Sequence, residues 1–109
     1  MQAFVAVMGV GHIVVQQLCV VLPSNVTIHF KIYNGRLIAE IGGIPCIFDT
    51  PVKRWVEPKG HSCNSEAMRW LASKCDKFVA IALIANSLHD LGSTNDEIGK
   101  ILAPEIQKL

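Results

Sequence analysis

The residue whose type and setting come nearest to chemistry is Cys63, in the run Gly60-His61-Ser62-Cys63-Asn64. It follows a loop punctuated by Pro and Gly and precedes a stretch with helical periodicity. A helix N-terminus favours the thiolate, which is the nucleophilic form of cysteine. With an imidazole beside it to take up a proton, such a thiol could hydrolyse an acyl bond, and His29 and His61 are the candidate bases. A plainer use of the same residue is a small apolar side chain where the helix meets the core. His29 also has a plain use, as the cross-strand neighbour of Glu40 on an exposed sheet face.

The five residues His61-Ser62-Cys63-Asn64-Ser65 resemble the Cys-Asn segment of circularly permuted papain-like peptidases. That likeness implies a histidine on an earlier strand as the base, here His29 or His12. The interval from His29 to Cys63 is short for such a fold, and no aromatic residue follows Cys63-Asn64, so the chain is not assigned to that family.

Four cysteines, Cys19, Cys46, Cys63 and Cys75, show no paired spacing. No secretion signal is evident, so reduced thiols in a cytoplasmic protein are expected. Zinc would need His61, Cys63, Cys75 and one more ligand. Cys63 and Cys75 are about three turns apart along one expected helix, so they should not share an ion. No metal and no cofactor are expected.

Two further segments carry weaker signals. Lys53, Arg54 and Trp55, with Lys59, combine charge with an aromatic ring that could stack a base or anchor a partner, unless Trp55 folds back over the sheet edge. Leu91-Gly92-Ser93 followed by Ile98 and Ile101 resembles the turn and second helix of a helix-turn-helix. Leu88, however, sits where that pattern needs a small residue. The second helix opens Thr94-Asn95-Asp96-Glu97, whose acids would repel phosphate, so a helical hairpin explains it equally well. Glycine-rich phosphate loops, paired catalytic carboxylates and a serine nucleophile elbow are absent from the sequence in recognisable form.

These residues must be positioned by a chain of 109 residues, half of them hydrophobic and 17% charged. That length and composition fit one globular domain, 1–109, and exclude intrinsic disorder. A net charge of +1 argues against a protein whose main task is gripping nucleic acid or anionic lipid. The charge-free stretch from Ala3 to Leu22 has the length of a membrane helix, but Gly9, Gly11, His12, Gln16 and Gln17 interrupt it. Its Val and Ile content predicts strands near 3–8 and 12–22, with a helix as the alternative for the second.

The strongest local pattern is Val26–Tyr33, Asn34-Gly35, Arg36–Ile41. Alternation puts Val26, Ile28, Phe30 and Ile32 on one face, and Asn-Gly favours a type I′ turn. The register that follows pairs Tyr33 with Arg36, Lys31 with Ile38 and His29 with Glu40. Gly42-Gly43 turns the chain into a third strand near 44–48, and 49–61 is predicted as loop. From Ser62 to Leu91 the period is helical. An unbroken helix there would run about 45 Å, against a globule about 34 Å across, so it should break, with Asp76 as a cap, or project. Phe78–Ala85 is apolar on every side and needs burial on every side, which favours a dimer, though a central helix laid across the sheet would also serve. Thr94 and Glu97 form a capping box for a last helix that Pro104 should kink or restart.

The sequence therefore predicts an α+β fold: a small, mainly antiparallel sheet of three to five strands with a hairpin at 26–41, a long or broken helix, and a short C-terminal helix. The expected function is a non-enzymatic module that homodimerises and binds a protein partner or a small apolar ligand. A cysteine hydrolase using Cys63 and a DNA-binding regulator are the alternatives.

Overall fold

The computed structural model describes residues 4–8 and 14–109, with side-chain surroundings from Leu18 onward. Gly9-Val10-Gly11 and His12 lie outside the described residues. Six strands form one sheet in chain order: β1 (Phe4–Met8), β2 (Val14–Val21), β3 (Thr27–Tyr33), β4 (Arg36–Ile41), β5 (Ile44–Asp49) and β6 (Arg54–Val56). Every neighbouring pair is antiparallel. Three helices follow: α1 (Ser65–Ser73), α2 (Cys75–Asp90) and α3 (Asn95–Gln107). This is the α+β architecture expected from the sequence, with six strands where three to five were expected and with β2 a strand and not a helix.

The central hairpin has the expected register, from Tyr33 opposite Arg36 to Ile28 opposite Ile41. Asn34 and Gly35 take φ of 51° and 74°, as a type I′ turn requires. Gly35 is needed twice over, because a Cβ there would lie 2.6 Å from the His89 side chain of α2. One sheet face, bearing Val20, Ile28, Phe30, Leu37, Ala39, Cys46, Phe48 and Trp55, is buried beneath the helices. α2 packs on β4, α3 on β2 and β3, and α1 on β6.

Phe78 of α2 is the centre of an aromatic cluster. Its ring lies 5.0 Å from Trp55, 5.6 Å from Phe30 and 6.1 Å from Trp70, edge-on to both tryptophans. Such pairs add about 0.5–1.5 kcal/mol each beyond simple burial.

Three local expectations are corrected. The 49–61 segment is not all loop, since β6 pairs Arg54 with Asp49 and Trp55 with Phe48 to close the sheet edge. The long helix breaks at Lys74 and not at an Asp76 cap; Lys74 ends α1 and precedes α2 with no side-chain capping bond, and Asp76 sits inside the first turn of α2. Finally, α3 does not restart at Pro104 but continues as one helix from Asn95 to Gln107 with that proline inside it. Ile98, Leu102, Ala103 and Ile106 are buried on both sides of that proline, while its own ring faces solvent. The hydrogen bond it forfeits is therefore on the wet side, where water can replace it.

Candidate functional site

Cys63 lies in the segment that returns the chain from β6 to α1. Its place is set by three local devices. The N–H of His61 closes a turn onto the Pro58 carbonyl at 3.1 Å. The N–H of Cys63 donates to Glu57 Oε2 at 2.5 Å. Asn64, the N-cap of α1, accepts the Ala67 N–H at 3.1 Å on its side-chain oxygen. Cys63 thus stands just outside the helix, half-buried, with its backbone tied to a carboxylate.

Its sulfur meets another sulfur. Cys63 Sγ is 3.0 Å from Sγ of Cys46, which projects from the buried face of β5 opposite Ala39 and is fully buried. Burial, first, then the hydrogen bond and charge of Cys63 and the charge of Glu57, push the Cys46 thiol up to about 12. Cys46 therefore keeps its proton at neutral pH. All four cysteines are free thiols.

The structure separates the other candidates from this corner. His29 is exposed on the sheet face opposite to the one that carries Cys46, so the sheet lies between its imidazole and the Cys46–Cys63 contact. His61 is exposed, and its contact with the corner is the backbone turn to Pro58. Glu40, expected to pair with His29, instead accepts from Lys31 Nζ at 3.0 Å. The lysine reaches it diagonally across the strand pair, as long side chains can. Cys75 is remote from Cys63 and donates its S–H to the Lys53 carbonyl at 2.8 Å. Among the described residues no cluster of three or more His, Cys, Asp or Glu side chains could hold a metal ion.

Of the basic loop, Lys53, Arg54 and Lys59 are exposed, but Trp55 is only 8% exposed. Its indole packs between Phe48 and Phe78, so it folds back over the edge and offers no face to a base. The Leu91-Gly92-Ser93 turn is a helical hairpin: Gly92 has φ +94°, the Ser93 N–H returns to the Leu88 carbonyl at 3.0 Å, and Thr94 and Glu97 form the expected capping box. Asp96 and Glu97 are exposed at the start of α3, where a phosphate would have to approach.

The partner of Cys63 is the feature missed at the level of sequence. Seventeen positions separate the two cysteines, and no short motif marks the pair. The available signal was the alternation of β5, which places Cys46 and Phe48 on the buried face. No family model matches the chain, and no curated protein or solved structure matches it.

Proposed function

We propose that this chain is a non-enzymatic α+β module that forms a homodimer through the outward side of α2, and in that form binds a protein partner or small apolar ligand in the cytoplasm. One observation carries the proposal. From Phe78 to Leu88 the helix has no charged residue, yet only one side of it is buried. Phe78, Ile81, Ala82 and Ala85 face the sheet, while Leu83 and Ile84 remain 52% and 42% exposed and Leu91, just past the helix, 81%.

Ala80, Ile84, Ser87 and Leu91 follow i, i+4, i+7, i+11 spacing, which makes a single stripe. The small residues at 80 and 87 would let a second helix approach closely. A second copy is the favoured occupant because charges of both signs flank the stripe, Asp76 and Lys77 before Ala80 and Asp90 just before Leu91. An antiparallel twofold pair brings Lys77 of one copy level with Asp90 of the other, as a self-complementary interface requires. A half-open groove of about 550 Å³ between Arg36, Asp49, Val56 and Asn86, polar and apolar in equal parts, is a place on the described surface for a small ligand. No helix among the described residues is long and apolar enough to cross a membrane.

Light scattering across micromolar concentrations tests the dimer. The expected result is a concentration-dependent mass that reaches twice the chain mass. Leu83→Lys with Ile84→Lys should hold the protein at the monomer mass while changing monomer stability by no more than about 0.5 kcal/mol per site. A monomer at every concentration, or a dimer indifferent to both lysines, would overturn the assignment.

A further inference from the structure

We propose that Cys46 and Cys63 are a reversible dithiol site, which closes to a disulfide by exchange with low-molecular-weight disulfides such as oxidised glutathione. The geometry makes the case. The two sulfurs are already 3.0 Å apart, so bond formation at about 2.05 Å requires an approach of roughly 1 Å. Both are held there by independent elements: Cys46 by the β4–β5 ladder, Cys63 by Glu57 and by the capped start of α1. Neither needs a rearrangement of the fold to reach the other. This site is independent of the dimer surface, since its residues belong to β5 and the segment before α1.

Burial fixes the order of events. Cys46 has no exposed surface, and Cys63 is partly open to solvent, so an external disulfide meets Cys63 first. The Cys63 thiolate attacks one sulfur of the reagent, the reagent's S–S bond breaks, and one thiolate leaves and takes a proton from water. Cys63 now carries a mixed disulfide. The Cys46 sulfur then attacks Cys63 Sγ, the bond from Cys63 to the reagent sulfur breaks, and the departing reagent thiolate takes up the proton that Cys46 gives up. The protein dithiol has lost two electrons and two protons, and the reagent disulfide has become two thiols. A reducing dithiol runs the same steps backwards. The closed form covalently ties β5 to the start of α1 across the β6 edge.

The full chain, folded and first reduced, is incubated with oxidised glutathione, alkylated, digested without reductant and analysed by mass spectrometry. The expected product is lighter by two hydrogens, with one cross-linked peptide pair containing Cys46 and Cys63, while Cys19 and Cys75 are recovered alkylated. Closing a loop of this size should raise Tm on the order of 10 °C relative to the reduced chain. Cys46→Ser should stop at a stable glutathione adduct on Cys63, and Cys63→Ser should leave Cys46 unmodified. A wild-type chain that accumulates the Cys63 adduct without closing, or that remains unmodified at Cys63, overturns the proposal, as does a cross-link through Cys19 or Cys75. The wild-type result decides by itself if either serine variant fails to fold.

Discussion

The β3–β4 hairpin and helix α2 are both strongly apolar, yet they dispose of that character in opposite ways. The hairpin sorts it. Ile28, Phe30, Ile32, Leu37, Ala39 and Ile41 point inward, while His29, Lys31, Tyr33 and Arg36 lie on the outer face, where Lys31 bonds Glu40 and Ile38 is the apolar exception. α2 does not sort it, and exposes Leu83 and Ile84 on the side away from Phe78. A two-residue period lets one strand satisfy a core and water at once; a helix with no charge for eleven residues cannot. The difference marks α2 as one of the places where large apolar side chains stay exposed in the single chain, beside Val52, Val56 and Ile101.

The strongest way to break the comparison is Phe78→Ala on the inner side of α2. It removes a fully buried ring that touches Phe30, Trp55 and Trp70. The expected loss is about 3–5 kcal/mol, a large share of the 5–15 kcal/mol typical of a whole domain. Urea denaturation of the monomeric Leu83→Lys/Ile84→Lys background measures it without a contribution from association. A loss below about 1 kcal/mol would mean that the inner side of α2 is no more tightly packed than the outer one.

The hairpin was legible in the sequence because two independent signals agree there. Asn34-Gly35 specifies the turn and hence the register, and the alternation on both strands then matches apolar with apolar. The break in the long helix was legible only as a necessity of length. Lys74 offers no side-chain cap and no proline, so nothing local marked the position, and Asp76 was the better-looking but wrong choice. Trp55 has two readings in the sequence, a surface aromatic beside Lys53 and Arg54 or, favoured, a ring folded back over the sheet edge, and the structure shows the second. The three-residue strand that turns its indole inward depends on pairing with β5, which a local pattern cannot reveal. The Cys46–Cys63 contact is of the same kind: a strand residue and a loop residue are brought together by tertiary packing, and the anchor that positions the loop is the Glu57 carboxylate accepting the Cys63 backbone N–H, which has no sequence signature.

The dryness of the inner sheet face can be sharpened at Cys46, opposite Ala39 of the hairpin. Its thiol is pushed up to about 12, whereas an unfolded cysteine titrates near 8.5. Below about pH 8.5 both states hold the proton and this group leaves stability unchanged. Above it the unfolded chain releases the proton and the folded chain retains it, so stability falls as pH rises towards 12, by at most about 1.4 kcal/mol per pH unit. Denaturant midpoints in the presence of reductant from pH 8 to 10 should decline more steeply for the wild type than for Cys46→Ala. Parallel slopes would mean that water reaches the thiol.

The smallest expected effect lies on the outer face of the hairpin, where the structure chooses one partner for Glu40 over another. Register alone puts His29 directly opposite, but the carboxylate bonds Lys31 at 3.0 Å. A lysine carries a full charge at neutral pH and has a stem long enough to cross the diagonal. The pair is largely exposed, so it should contribute only about 0.2–1 kcal/mol. A double-mutant cycle with Lys31→Met and Glu40→Gln should recover a coupling in that range, and about 1 M salt, where the screening length is near 3 Å, should erase most of it. The matching cycle with His29→Ala should give a coupling indistinguishable from zero at pH 7.5. If the histidine cycle is the larger, direct opposition governs this face. If the lysine cycle is the larger, side-chain reach and charge decide the pairing within a register that the turn has already fixed.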